Sequence, residues 1–151
     1  MSMTSFEITC KPFNDLSPHE LYDILRLRSE VFVVEQNCVF LDADDKDQYC
    51  DHVMVRTDQL VATARLVPPG VIYPEMSVGR IVSHLSARGS GAGKAVVRES
   101  IRILESKFGK QPIRIGAQYY LRKFYESFGF EQCSDIYDED GIDHIHMLRK
   151  P

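Results

Sequence analysis

Polar and apolar positions change period several times along the chain, and each change predicts an element. Phe6, Ile8 and Cys10 alternate with Glu7, Thr9 and Lys11, which predicts a strand over residues 6–12, broken at Asn14-Asp15. From Ser17 the period lengthens. Leu21, Ile24, Leu25, Arg28 and Val31-Phe32 recur at helical spacing. Ser17, Pro18 and Glu20 supply a start signal: a capping hydroxyl, a proline in the first turn and a glutamate to close a capping box. This helix is expected to end near Val33 or Val34. A polar loop over residues 41–51 follows. Residues 52–57 and 60–67 read as two strands joined at Asp58-Gln59, and Pro68-Pro69-Gly70 breaks the chain again. Residues 78–83 form a further strand. After it come a glycine-rich turn and a helical run to Lys107, whose buried face is Val96, Val97, Ile101, Leu104 and Phe108. Residues 113–117 alternate as a short strand. A short helix over residues 118–128 is stopped by Gly129, and Phe130 begins the next strand. A last hairpin pairs residues 132–137 with 142–149 around Asp138-Glu139-Asp140-Gly141.

A chain of 151 residues, 44% hydrophobic and 26% charged, is expected to fold as one domain over residues 1–151 with a core of useful size. Its net charge of −4 argues against nucleic acid or anionic lipid as a partner. No apolar run approaches the ~20 residues that span a bilayer, so no membrane partner is expected. Met1-Ser2-Met3-Thr4-Ser5 lacks the basic-then-apolar pattern of a secretory signal, which makes a cytoplasmic location the default expectation. Cys10, Cys38, Cys50 and Cys133 form no Cys-x-x-Cys pair, so zinc or thioredoxin-like chemistry is not expected. In a reducing compartment they are expected to remain thiols. The polar loop carries Asp42, Asp44, Asp45, Asp47 and Asp51. A calcium loop counted from Asp42 would need glycine where Asp47 stands and glutamate where Val53 stands, and is excluded. Two readings remain: a solvated loop, or an acidic rim that attracts a cationic acceptor.

The stretch richest in chemistry runs over residues 78–107. Its turn, Arg88-Gly89-Ser90-Gly91-Ala92-Gly93-Lys94, opens a helix, where backbone N–H groups and the positive dipole end suit a phosphate. The dinucleotide fingerprint fails because its third glycine falls on Lys94. The nucleoside-triphosphate loop fails because its opening glycine falls on Arg88 and its magnesium-binding hydroxyl on Ala95. What fits is Arg88-x-x-Gly91-x-Gly93. This resembles the pyrophosphate-binding loop of the GNAT superfamily of N-acetyltransferases, which bind acyl-coenzyme A. Tyr125-x-x-x-Gly129-Phe130 resembles that superfamily's second signature. Three further runs match: Arg26-Leu27-Arg28-Ser29-Glu30-Val31-Phe32-Val33-Val34-Glu35-Gln36, Gly79-Arg80-Ile81-Val82 and Gly116-Ala117-Gln118. With Phe124-Tyr125-Glu126-Ser127-Phe128-Gly129-Phe130 and Asp140-Gly141-Ile142-Asp143-His144, they extend the resemblance to the ElaA-type branch, from Leu16 to Met147.

The resemblance implies an α/β (α+β) GNAT-like fold: a central, mixed, mostly antiparallel sheet of six or seven strands flanked by helices. It implies acetyl-CoA (coenzyme A) as cosubstrate and acetyl transfer to a primary amine of a small molecule or a protein; no metal is expected, because His144 and His146 have no third ligand at supporting spacing. The implied pyrophosphate contacts are Arg88, Gly89, Ser90, Gly91, Ala92, Gly93 and Lys94. Ile81, Val82 and Ser83 would pair with the pantetheine arm as a strand does. Gln118 stands where many members carry an asparagine that bonds the same arm. Tyr125 is the implied general acid for the leaving thiolate, a phenol near ~10 facing a thiol near ~8.5.

The base that takes a proton from the acceptor is left open between three residues and a water relay. Glu35 comes first, because it matches the branch's Glu-Gln pair; its alternative is a helix-end carboxylate bonded to backbone or to an arginine such as Arg65. His52, at a strand start after the acidic loop, comes second, and His144 third. His144 and His146 share one strand face. Arg80 stands near where some relatives carry a catalytic glutamate, which excludes a base there. Arg28 and Glu30 read as an ordinary surface pair. Two rival functions are a non-catalytic acyl-CoA-binding module and transfer from a longer acyl donor, as in lactone-signal synthases. Tyr125 and the complete glycine loop argue against the first, and the shortness of the chain against the second. The acceptor is bound by variable loops in this fold, and an exposed sheet edge leaves room for a homodimer.

Overall fold

In the computed structural model, which describes residues 5–151, two four-stranded sheets meet at one corner. Residues 1–4 of the stretch inspected for a signal lie outside the described residues. The first sheet is β1 (Glu7–Pro12), β2 (Asp51–Arg56), β3 (Leu60–Val67) and β4 (Ser77–Ser83), in that order. The second holds β5 (Ile113–Gln118), β6 (Phe130–Gln132), β7 (Tyr137–Glu139) and β8 (Ile142–Arg149), with β5 on one side of β8 and β6 and β7 on the other. All these pairs are antiparallel. The sheets join through a parallel bridge between Met76 and Ile113, where the Arg114 N–H donates to the Met76 carbonyl at 3.0 Å.

The mostly antiparallel α+β architecture is the one expected, but the described residues hold eight strands in two sheets where six or seven in one were anticipated. The reason is local. β6 and β7 lie end to end along the same edge of β8. The run expected over residues 132–137 breaks after Cys133, where the Ser134 hydroxyl accepts from the His146 N–H at 2.8 Å in place of a strand carbonyl.

α1 (Pro18–Arg28) starts with the capping box intact: Ser17 Oγ accepts from the Glu20 N–H at 3.0 Å and Glu20 Oε1 from the Ser17 N–H at 2.8 Å. Beyond Arg28 the coil widens into a π-helical segment, Ser29–Glu35. Gln36 donates to Val31 and Cys38 to Val33, each five residues back. Such widened turns shift the phase of the side chains that follow, and here Phe32, Glu35 and Gln36 reach the cleft described below. α2 (Ala92–Phe108) packs on one face of the first sheet and α1 on the other, so β3 between them is buried along its length. Val96, Val97, Ile101 and Leu104 of α2 share a core with Val53, Leu66, Ile115 and Ile145 from both sheets. Ile24, Leu27 and Val31 form a second cluster with Met54, Leu60 and Val82. Full burial of each such side chain contributes ~1.5–3 kcal/mol. Phe108 is only half-buried. A 3-10 turn, Tyr119–Leu121, precedes α3 (Arg122–Glu126), and Gly129 stops it at φ 92, where any side chain would be strained.

The acidic loop is neither solvated nor a free rim. Asp42 and Asp47 are buried, and three arginines from three elements take up its charge. Arg28, 1% exposed, donates through Nε to Asp42 at 2.7 Å and through Nη1 to Asp47 at 2.8 Å. Arg65 of β3 donates to Asp44 at 2.6 and 2.8 Å and to Asp47 at 3.1 Å. Arg80 of β4 lies 2.8 Å from Asp42 and donates to its carbonyl at 2.9 Å. The surface pair expected of Arg28 and Glu30 is therefore corrected: Arg28 is core, and Glu30 accepts from Arg26 at 2.8 Å. All four cysteines are free thiols; Cys38 and Cys50 are buried and Cys133 is exposed. Among the described residues no helix is long and apolar enough to cross a membrane.

Candidate active site

From the Met76–Ile113 corner β4 and β5 diverge, and a cleft of about 860 Å³ opens between them. A bulge helps to set the divergence. Thr63 faces Val82 and Arg65 faces Gly79, so Arg80 and Ile81 together oppose Ala64. Arg80 adopts φ 47, a left-handed conformation that costs a non-glycine residue about 1–2 kcal/mol, and its ion pair with Asp42 holds it there. A bulge bends its strand and re-aims the groups beside it.

At the far end of β4 the chain turns through Arg88–Gly91 into α2. Gly89 and Gly91 take φ 84 and 93. Among the described residues the N–H groups of Gly89, Gly91, Gly93 and Lys94 have no protein acceptor, as the first turn of a helix requires. These donors sit at the positive end of a 17-residue helix, with Arg88 and Lys94 beside them in the cleft wall. The set fits a phosphate. Two residues of the expected loop behave differently. Ala92 is buried behind the loop and its N–H points to Ser90 Oγ at 3.4 Å, so it packs the loop and does not line the cleft. Ser90 does line it, but its hydroxyl donates to the Ala87 carbonyl.

On the β4 wall Ile81 and Ser83 are half-buried, while the Val82 side chain packs under α1. On the β5 wall Gln118 is engaged with Gln36. Each amide donates to the other, at 3.1 and 3.2 Å, tying the end of β5 to the end of the π-helical segment. Arg88 and Glu35, expected to hold pyrophosphate and to act as base, are bound to each other. The Arg88 Nη atoms donate to both Glu35 oxygens at 2.6 and 2.9 Å, and Nη2 also reaches the Ser83 carbonyl at 3.3 Å. The partner is thus Arg88, not Arg65, and both carboxylate oxygens are engaged by it in this arrangement.

His52 lies outside the cleft. It is 1% exposed, and its Nε2 sits 2.9 Å from the Asp47 carbonyl. Burial lowers its pKa more than the Asp47 carbonyl raises it. Its place is under the acidic loop, which corrects its reading as a base. Tyr125, from α3, lines the cleft with its ring edge-on to Phe124 and Phe130 at 5.2 and 6.1 Å. Burial pushes its phenol well above the ordinary value, so it stays protonated at neutral pH.

His144 also lines the cleft. Its Nδ1 lies 2.8 Å from the Ile142 carbonyl and its Nε2 3.2 Å from Glu139 Oε2. His146, on the same face, is spent on an aromatic cluster with Tyr73 and Tyr137. Sequence reasoning missed Cys38, Phe40, Glu139 and Asp140, which close this end of the cleft. The one local signal was the Asp140-Gly141 turn, at φ 54 and 82, which folds β7 back on β8. Among the described residues no group of three or more His, Cys, Asp or Glu side chains is placed to hold a metal ion.

Residues 29–150 match the family described as "Acetyltransferase (GNAT) domain". The chain is 44% identical over 138 residues to a UPF0039 protein of Synechocystis sp., covering 90% of each. It is 36% identical over 140 residues to Protein ElaA of Escherichia coli, covering 91% of this chain and 92% of that one. Among solved structures, an acyl-CoA N-acyltransferase from Pseudomonas aeruginosa superposes with a TM-score of 0.91 at 38% identity, over 96% of this chain and 99% of the other. The crystal structure of Escherichia coli ElaA gives 0.91 at 33% identity, over 97% and 100%.

Proposed function

The chain belongs to the GNAT acetyltransferase family, alongside the ElaA and UPF0039 proteins, and from that premise we propose that it transfers an acetyl group from acetyl-CoA to a primary amine by direct attack on the thioester. One observation carries the reading. The diverging edges of β4 and β5, the unpaired N–H groups at the start of α2 and the Tyr125 phenol all belong to one cleft.

In this reading the N–H groups of Gly89, Gly91, Gly93 and Lys94 hold the pyrophosphate. Arg88 adds a charge-assisted contact when it turns from Glu35. The free edge of β4 at Ile81 and Ser83 pairs with the extended pantetheine arm. Gln118 keeps one N–H and one carbonyl lone pair after its exchange with Gln36, enough to orient that arm. Acetyl-CoA supplies an acyl carbon already activated as a thioester. An N–H near the Arg80–Ile81 bulge stabilises charge developing on the carbonyl oxygen, and Tyr125 gives its proton to the departing sulfur.

The test is calorimetric titration with acetyl-CoA and, in parallel, desulfo-CoA, followed by an assay of thiol release with primary amines. Saturable binding of both, weakened by Gly91→Glu, and amine-dependent thiol release are expected. No binding at millimolar ligand would refute the reading.

A further inference from the structure

One end of the cleft has no role in the steps above: the corner where β7, β8 and the segment after the π-helix meet. His144 is 8% exposed there and still lines the cleft. Its Nδ1 lies 2.8 Å from the Ile142 carbonyl oxygen. A carbonyl only accepts, so Nδ1 carries a proton. Neutral imidazole then presents a lone pair at Nε2. That lone pair faces Glu139 Oε2 at 3.2 Å, and a carboxylate oxygen also only accepts. Two acceptors at this separation need a proton or a donor between them. A proton gives an imidazolium–carboxylate pair; an ammonium group can donate to both.

The surrounding groups favour a cation. Asp140, in the same turn, adds a second carboxylate to the cleft wall. Among the described residues no lysine or arginine pairs with Glu139 or Asp140. Tyr137 stacks on the imidazole with ring centroids 5.9 Å apart, and burial and the nearby Glu139 charge keep its phenol protonated. Gln118, opposite His144 across β5 and β8, is neutral and held by Gln36. The Cys38 thiol donates to the Asp140 carbonyl at 3.4 Å and fixes the turn.

We propose that this corner is the acceptor subsite, that it takes a cationic primary amine, and that His144 Nε2 is the base that removes a proton from it. The proposal rests on the N-acetyltransferase reading. The ammonium passes one proton to Nε2, and Glu139 holds the imidazolium that results. The freed nitrogen lone pair forms the C–N bond, and the carbonyl π electrons move to oxygen. On collapse the C–S bond breaks and sulfur leaves with the electron pair. Tyr125 protonates that sulfur and is repaid by the second proton on nitrogen. His144 returns its own proton to solvent. Ammonium and thioester thus give amide, thiol and one proton.

The experiment compares two probe amines near neutral pH, following thiol release from acetyl-CoA. n-Butylamine, an alkylammonium near ~10, is almost wholly protonated there. 2,2,2-Trifluoroethylamine, acidified by its fluorines, is mostly free base and needs no prior deprotonation. His144→Asn keeps a donor for the Ile142 carbonyl and removes Nε2. It is expected to lose ~10²-fold or more in kcat/KM with n-butylamine, to stay within a few-fold of wild type with trifluoroethylamine, and to bind coenzyme A as before. Glu139→Gln, at an exposed position, should lose ~10-fold with n-butylamine alone. Equal losses on both amines, or no loss in either variant, would overturn the proposal while leaving acetyl transfer standing. Thiol release by the wild type with neither amine would overturn the transfer reading and this one with it.

Discussion

Asp47→Ala should destabilise the fold strongly and leave acceptor recognition alone. The carboxylate accepts from Arg28 at 2.8 Å and Arg65 at 3.1 Å, and these side chains are 1% and 4% exposed. Removing it leaves two nearly dry guanidinium groups each short of a partner. Breaking a buried pair from one side costs ~3–5 kcal/mol. Asp42 and Asp44 keep their own bonds to Arg28 and Arg65, so the lower part of that range, ~3 kcal/mol, is expected. For a chain of this length ~1 kcal/mol moves Tm by ~2–4 °C, which gives a fall of roughly 6–12 °C. Asp45→Asn, exposed and already left-handed at φ 62, should stay within ~0.5 kcal/mol of wild type. Urea denaturation followed by circular dichroism measures both. The effect also has a pH signature. Burial raises the Asp44 pKa, but Arg65, then the Lys46 N–H and Arg80, more than reverse this, leaving it at about 2; burial raises Asp47 too, and Arg28 and then Arg65 bring it below its ordinary value. Both folded values lie below the unfolded value near ~3.9. Their contribution is therefore complete above about pH 4 and is lost as pH falls towards about 2. Wild-type and Asp47→Ala stabilities should converge over that window. A loss under ~1 kcal/mol, or curves that stay parallel into acid, would refute the reasoning. So would weaker acceptor binding in Asp45→Asn, which would restore the loop as an acidic rim.

Three other variants address the cleft. Tyr125→Phe removes only a hydroxyl from an apolar setting, and kcat should fall ~10²-fold with acetyl-CoA affinity unchanged; unchanged turnover in steady-state assays would remove Tyr125 as the acid. Glu35→Gln releases Arg88, so calorimetry should show coenzyme A binding several-fold tighter with kcat maintained. A kcat loss without tighter binding would return Glu35 to the role of base. Gly91→Glu forces a side chain to φ 93 and sets a negative charge beside the unpaired N–H groups. Affinity should drop ~10-fold or more, with ~1–3 kcal/mol of stability lost, and an unaltered Kd would make the loop only a turn.

What was legible in the chain was local. The Ser17 and Glu20 capping bonds span three positions, and the α2 face follows from its own periodicity. The order of glycine loop and Tyr125 motif is likewise written in the chain. What escaped depends on partners far apart. Arg28 and Arg80 are 14 and 38 positions from Asp42, so no window through the acidic loop shows that its charge is already taken. Arg88 is 53 positions from Glu35, and Gln36 is 82 from Gln118. In each case a side chain that read as free for a ligand is held by another. His52 was misplaced for a different reason. Periodicity marks a strand near His52 but not which face its side chain takes, and here, as the second residue of β2, it faces the loop beneath. The π-helical turn after Arg28 leaves no mark in the hydrophobic spacing, yet it decides that Phe32, Glu35 and Gln36 reach the cleft.

The corner at Met76 and Ile113 has a consequence for how fast the backbone exchanges its amide hydrogens. Among the described residues β4 is laddered only to β3, and β5 only to β8. Beyond the corner, amides on the two facing edges have no rung to protect them, while those on the outer edges do. Deuterium uptake should therefore alternate along both strands, fast inward and slow outward, and stay slow at the corner itself. An extended molecule lying between the strands would supply the missing rungs one residue at a time. The set of amides that slows on adding coenzyme A then becomes a ruler, marking how far up the wedge the bound arm reaches.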